Sequence, residues 1–413
     1  MSFNIIALFI DRIIKVSTGI ISSILVARYF GVETLGDIYS IIAWRTIFIV
    51  IITLGLENYI QREYSQTNKP NIILSAHIMT RVLVIIVVLP TLLFLDYLLT
   101  FTLPQRIIIY SCVFYFVDIR ENFQKSNGFY LSQLVTTIII YSIIIFSRIL
   151  VIYYHLDIYF LAITYAAEIA LYLLFMPLMM KKKMISSSLV FKRAKKYIHL
   201  GILLVFSALA SILYTKIDII ILNYLKGSID AGLYSSATRI SESFFIVPSL
   251  ILSYCLYLKK KLNIDDDLFD KFLIQIGVIV SYIIIIPTIL FSSTIINILY
   301  GEKFDVAENI LNIHMFSILF VSLGVMQSIW FYKKNMIWFS TIKNILVAIF
   351  SIVLNFLLIN QIGIMGAAIS TLLSLFLSSI FLNIFNHKTR ELLILIIDCI
   401  LLKHIKIMKI FLK

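Results

Sequence analysis

Charge is scarce in this chain. Asp, Glu, Lys and Arg make up 14% of its 413 residues, where soluble domains carry about 25%, and that deficit excludes a soluble enzyme. Cysteine is scarcer still: Cys112, Cys255 and Cys399 all fall inside apolar runs, with no Cys-x-x-Cys spacing and no histidine pairing. They read as small buried hydrophobes, which argues against a disulfide framework and against a metal site. The six histidines, His77, His155, His199, His314, His387 and His404, have no ligand spacing, and no Gly-rich phosphate-cradling loop occurs. The pattern therefore predicts no cofactor, no metal and no bound ATP. The opening stretch MSFNIIALFIDRIIKV lacks a small-residue cleavage site and runs into a longer apolar segment, so removal of a signal peptide is not expected.

What is abundant is hydrocarbon. The sequence is 61% hydrophobic with a mean hydropathy of +1.01. Apolar runs long enough to cross a bilayer, about 17 to 25 residues, fall near 4–29, 37–57, 76–97, 105–120, 131–153, 157–179, 200–222, 231–257, 272–299, 306–332, 336–359 and 363–386. They predict an all-α polytopic membrane protein with 12 transmembrane helices in two six-helix halves around a central cavity, with no room for a separate globular domain. A net charge of +13 would suggest nucleic acid in a soluble protein. Here it follows from the positive-inside rule, and no nucleic-acid partner is expected. With the N-terminus inside, most of the 35 Lys and Arg residues fall in inner loops and the tail, against Arg28, Arg106, Lys226 and Lys303 in outer loops. Both termini are thus expected in the cytoplasm.

The largest hydrophilic connection is KKKMISSSLVFKRAKK, from Lys181 to Lys196. The expected organisation is an N-terminal half over 1–180, a basic cytoplasmic linker over 181–199, a C-terminal half over 200–387 and a basic cytoplasmic or interfacial tail over 388–413. A faint repeat supports two halves: GDIYSIIAWR (Gly36 to Arg45) and GLYSSATR (Gly232 to Arg239) each run from Gly through Tyr-Ser to an Arg inside a span, and paired halves recur among transporters. In the tail, the apolar stretch Leu392 to Leu402 is broken by Asp398 and too short to span, so it reads as an interfacial helix. The acidic run Asp265 to Asp267 lacks the spaced ligands of a calcium loop and reads as a solvated turn.

Four segments, in order, carry a family resemblance: ILVARYFGVETLGDIYSII (Ile24 to Ile42), YTKIDIIILNYLKGSIDAGLYSSATRISE (Tyr214 to Glu242), ILYGEKFDVAENILNIH (Ile298 to His314) and NFLLINQIGIMGAAIS (Asn355 to Ser370). Together they resemble the Wzx-type O-antigen flippases, the polysaccharide-transporter branch of the superfamily that also contains the MATE exporters. The chain departs from that family in its low glycine content, 13 residues. Read physically, the motifs are mostly packing elements. Gly301 suits the end of a helix, Asp305 with Glu308 is a capping-box signal, and Gly363-x-x-Gly366 followed by Ala367 and Ala368 allows close backbone approach.

Ionisable groups inside spans are the informative residues, because each costs about 2.5–3.5 kcal/mol at a helix centre unless paired or hydrated. By the boundaries above they include Arg45, Arg148, Glu168, Lys216, Asp218, Arg239, Glu242 and Lys343. The expectation is a net cationic, water-filled cavity in which Arg45, Arg148, Lys216, Arg239 and Lys343 bind substrate, while Asp218, Glu168 and Glu242 act as coupling or counter-ions. Other readings stay open: Arg239 and Glu242, three apart, could neutralise each other, and Arg148 could snorkel to the outer interface. Lys216 and Asp218, two apart, face differently and need partners on other helices or exposure to the cavity. Asp118 and Glu121 are expected at the inner interface.

The resemblance implies a flippase, not an enzyme, that moves undecaprenyl-pyrophosphate-linked O-antigen repeat units across the bacterial inner membrane by alternating access, with a glycan polymerase and a chain-length regulator as possible further partners. Two alternatives are a MATE-like exporter and a membrane glycan polymerase or ligase. A cation exporter should line its cavity with acids, and a polymerase should carry a sizeable outer loop; the chain has an excess of intramembrane cations and short outer loops.

Overall fold

A bilayer offers no water to free backbone N–H and C=O groups, so a chain this apolar is confined to helices that close their own hydrogen bonds. The computed structural model describes residues 3–66, 70–115, 117–126, 128–179, 188–262 and 265–404. Among the described residues there is no strand. The chain divides into two units, Met1–Ile212 and Leu213–Lys413, each taken by itself below.

The first unit contains α1 (Phe3–Thr53), α2 (Glu57–Gln66), α3 (Pro70–Leu99), α4 (Leu103–Tyr110), α5 (Val117–Ser126), α6 (Tyr130–Tyr153), α7 (Ile158–Met179) and the beginning of α8 (Ser188–Lys226). Helix α1 packs along α6 and also meets α3 and α4, while α7 rests on α4 and α6. A second core gathers Leu56 and Ile60 of α2, Ile73 and Ala76 of α3, Ile119 of α5 and Tyr197 of α8. Of the expected linker, residues 181–187 lie outside the described residues, and residues 188–199 are the opening turns of α8.

The second unit takes the end of α8 and continues with α9 (Ser228–Ser243), α10 (Ile246–Leu262), α11 (Asp266–Leu290), α12 (Ser292–Leu299), α13 (Ala307–His314), α14 (Ser317–Lys333), α15 (Ile337–Ile362), α16 (Ile364–Ser379) and α17 (His387–Ile400). Its tightest pairing is α15 with α16. Gly366 allows it: a Cβ there would lie 2.3 Å from the Leu358 carbonyl oxygen. Helix α17 buries Leu392, Ile396 and Cys399 and docks on α11, where Gln275 Nε2 donates to the Cys399 carbonyl at 3.1 Å and Tyr282 donates to that of Ile400 at 3.2 Å. Lys403, beside Asp398 at 2.6 Å, holds that carboxyl below the usual carboxylate range.

Nine helices among the described residues are long and apolar enough to cross a membrane, and Leu103–Phe114 and Ile158–Leu174 are shorter apolar helices. The expected count of twelve is not reached by this criterion. One of the nine, Ile6–Thr53, holds two of the expected spans, separated by a non-helical residue at Gly31 (φ 87°, ψ −178°). Gly227, at the break between α8 and α9, has nearly the same backbone (φ 90°, ψ 178°). Only glycine occupies this region freely, so the two halves of the sequence repeat make their sharp turns by the same device.

One local expectation is corrected and a second is extended. Asp305 is already helical (φ −53°, ψ −38°), so it cannot adopt the extended conformation a cap requires. Val306 stands at the start of α13 without a side-chain cap, and Glu308 instead accepts from Ser292 at 3.2 Å. The acidic run is more than a solvated turn: Asp265 caps α11 through the amides of Asp267 and Leu268, Asp266 pairs with Lys259 and Lys333, and Lys333 also reaches Asp270 at 2.6 Å.

The α15–α16 contact generates a stability prediction. Gly366→Ala should cost about 1–3 kcal/mol by overpacking against backbone, read as a lower melting temperature of the purified protein in detergent. Gly19→Ala, whose Cβ would meet nothing within 4 Å, should leave the melt unchanged or raise it slightly.

Candidate functional site

Each unit carries its own polar clusters inside its apolar helices. In the first unit, Arg45 on α1 donates to the Tyr165 carbonyl at 3.1 Å and approaches Ser111 at 3.5 Å. Arg148 on α6 crosses the same stretch of α7: its guanidinium carbon lies 4.0 Å from the centre of the Tyr165 ring, Nε donates to Thr164 at 3.2 Å, and Nη2 donates to Glu168 at 3.4 Å. Its remaining nitrogen donates to Ser22 of α1. Arg45, Arg148 and Glu168 are thus gathered around Tyr165. At 2% exposure, Arg148 does not snorkel, because four neighbours from α1 and α7 hold it inside.

Sequence reasoning missed a second cluster in this unit. Asp11, almost fully buried, accepts from Gln133 at 3.0 Å and Thr137 at 2.5 Å. Lys15 lies 3.1 Å from Asp11 and 2.6 Å from Glu121. The signal was present, since Asp11 and Lys15 stand one turn apart inside the first apolar run. Arg81, inside the expected span 76–97, was also missed; it is fully buried on α3, donates to the Ile52 carbonyl and lies 3.1 Å from His77 Nε2. The side chain of Asp118 lies outside the described residues.

In the second unit, Lys216 on α8 donates to both oxygens of Glu242 on α9, at 2.6 and 2.7 Å. Arg239 sits half-buried on α9, three residues before Glu242. Asp218, 3% exposed, accepts from Tyr234 of α9, from Thr371 of α16 at 2.8 Å and from the Ile219 amide at 2.8 Å. Beside this group, Ser241 meets His314 Nδ1 at 2.7 Å. Lys343 on α15 is buried differently. Its Nζ lies 3.5 Å from Asn383 Oδ1 and 4.6 Å from the Phe331 ring centre, and no carboxylate among the described residues pairs with it. Asn383 is fixed by Gln327 and the Ser379 carbonyl, both at 3.0 Å. Lys343 also lines a cavity of about 400 Å³ in this unit. Among the described residues no group of His, Cys, Asp and Glu could hold a metal ion.

A family model described as "Polysaccharide biosynthesis protein" matches residues 3–256, more than half of the chain. The chain belongs to this family. No curated protein matches it in sequence. Among solved structures, this family member is similar to a lipid II flippase, MurJ, in an inward closed conformation, at 18% identity and a TM-score of 0.72, covering 100% of this chain and 93% of that one. It is similar also to an inward-facing multidrug resistance MATE transporter of the MOP superfamily, at 14% identity, 92% and 96% coverage and a TM-score of 0.70. A third likeness is to a MOP superfamily transporter from Pyrococcus furiosus, described as having a binding pocket of reverse polarity, at 14% identity, 99% and 96% coverage and a TM-score of 0.57. The polysaccharide biosynthesis family member therefore shares its fold with these proteins.

The pairing of Lys216 with Glu242 can be tested for stability. Lys216→Met or Glu242→Leu alone strands a charge and should cost about 1–3 kcal/mol, less than the 3–5 of a fully buried pair, because both side chains keep about a fifth or more of their surface exposed. The double substitution should recover part of the loss, read by melting in detergent. Arg148→Lys should be nearly as disruptive as Arg148→Met, since an ammonium cannot reach Ser22, Thr164 and Glu168 together.

Proposed function

We propose that this chain is a flippase for undecaprenyl-pyrophosphate-linked repeat units of a surface polysaccharide such as O-antigen, working by alternating access in the bacterial inner membrane. The observation that carries this reading is the set of cations held deep in apolar helices. Arg45, Arg148, Lys216, Arg239 and Lys343 supply positive charge at membrane depth, where a pyrophosphate and its sugars cannot travel unaided, whereas the polyprenyl tail can stay in lipid. Family membership supports it, as does the fold shared over the whole chain with a lipid II flippase. Glu168 and Glu242 act as counter-ions that keep two of these cations soluble in the helix bundle. Asp218, whose hydrogen-bond partners are two hydroxyls and an amide, is the coupling carboxylate. The shared fold with a MATE transporter favours a second reading, export of small molecules, but an excess of cations suits an anionic cargo better than a cationic one.

Removing the protein should cause intact lipid-linked repeat units to accumulate on the cytoplasmic face, with no change in their chain length. If they reach the outer face as before, the transport reading fails; if the purified protein in liposomes extends or transfers the glycan, an enzyme replaces it. Asp218→Asn should keep the fold, lower transport several-fold and weaken its dependence on the proton gradient.

Both termini are placed in the cytoplasm in this reading. Leu189 and Ile229 are each more than half exposed, and Cys112, Cys255 and Cys399 are buried. Ile229→Cys should therefore be labelled by an impermeant thiol reagent on intact cells and Leu189→Cys should not. The reverse pattern would invert the orientation.

A further inference from the structure

The cavity in the C-terminal unit measures about 400 Å³, inside the range of roughly 300–1,000 Å³ typical of small-molecule sites. Three kinds of group line it. They are the aromatic residues Tyr214, Phe245 and Phe331, the hydroxyl- and amide-bearing Ser340 and Asn344, and the cationic Lys343. Lys343 is 6% exposed. An ammonium taken from water into such surroundings is costly unless a negative charge compensates it. Its observed partners, the Asn383 amide oxygen and the Phe331 ring, offer partial charges only. By contrast Lys15, Arg148 and Lys216 each have a carboxylate within 3.4 Å. Lys343 is thus one negative charge short, and it borders an open space.

One cation sets the charge of the missing group. A phosphate monoester carries about 1.5 to 2 negative charges near neutral pH, and the pyrophosphate of a lipid-linked sugar carries about two, one on each phosphate, so either would leave charge uncompensated against one ammonium, whereas a carboxylate matches it. The rest of the wall describes the body of the ligand. Aromatic rings beside a hydroxyl and an amide suit a ring with apolar faces and a hydroxylated edge. We propose that this cavity binds an acidic sugar of the glycan, its carboxylate on Lys343, its ring against the aromatic side chains and its hydroxyls on Ser340 and Asn344. The proposal rests on the reading of the chain as a carrier of lipid-linked glycans, and it specifies that the glycan contains a uronic-acid type of residue.

Saturation-transfer NMR on the full chain in detergent tests it, with D-glucuronate, D-glucose and inorganic phosphate as probes. Glucuronate should receive saturation at least about tenfold more strongly than glucose at equal concentration, the loss expected when a charged partner is absent, and equimolar phosphate should not displace it. Lys343→Met should abolish the glucuronate signal and Lys343→Arg should retain it. Ser340→Val, which keeps the lysine and alters the same wall, should weaken the signal several-fold even if Lys343→Met proves too poorly folded to use. Equal signals from glucose and glucuronate, displacement by equimolar phosphate, or an undiminished signal in a folded Lys343→Met or Ser340→Val would each overturn the proposal. The transport reading fails separately. If loss of the protein blocks translocation but glucuronate does not bind, only the acidic-sugar site is wrong; if translocation persists without the protein, the flippase is wrong whatever the cavity binds.

Discussion

Inside hydrocarbon no polar group can fall back on water, and the rest of this structure depends on that constraint. It confines the backbone to helices and makes each break in them a special event. Gly31 and Gly227 interrupt helix with a backbone that only glycine adopts freely. It also governs the small hydroxyl residues. Thr18, Ser22, Ser235 and Ser374 each donate back to the carbonyl one turn earlier in their own helix, so that their polarity is satisfied before any neighbour is needed.

Charged side chains cannot be satisfied so locally, and each unit answers with contacts between helices. Arg148 ties α6 to α1 and α7, Lys216 ties α8 to α9, and Asp218 joins α8 to α9 and α16. These bonds give the helices register as well as neutrality, because a shift of one turn along any of them would separate the partners. Lys343 is placed differently: its neighbours supply an amide and a ring in place of an acid, and it borders a cavity of about 400 Å³.

Much of the architecture was legible in the sequence because hydropathy reports directly on the solvent a helix must face. The apolar runs, the faint repeat and the close approach around Gly366 were all readable from residue type and spacing. Pairings were not. That Lys216 would meet Glu242, or that Arg148 would be held by Ser22, depends on which helices adjoin, and the single chain carries no mark of that. Arg148 could be read as snorkelling because its position near a helix end is visible while its neighbours on α1 and α7 are not. The Asp11–Lys15 cluster was overlooked for a related reason: two opposite charges one turn apart can neutralise each other on their own helix, and only the neighbouring helix bearing Gln133 and Thr137 makes them a buried cluster. The capping signal at Asp305 failed because a short turn of helix begins just before it.

The docking of α17 on α11 has a consequence for biosynthesis. Gln275 is inserted within its membrane helix, yet the carbonyl that accepts its amide belongs to Cys399, 124 residues later. At roughly 5–20 residues per second, translation takes about 6 to 25 s to cover that distance. Throughout that interval the nascent chain holds a polar amide on α11 whose final partner has not yet been made. The C-terminal unit therefore reaches its finished hydrogen bonding only once α17 has been made, and an interrupted chain lacking α17 would present that amide, and the Tyr282 hydroxyl with it, to whatever membrane quality control surveys for unpaired polar groups.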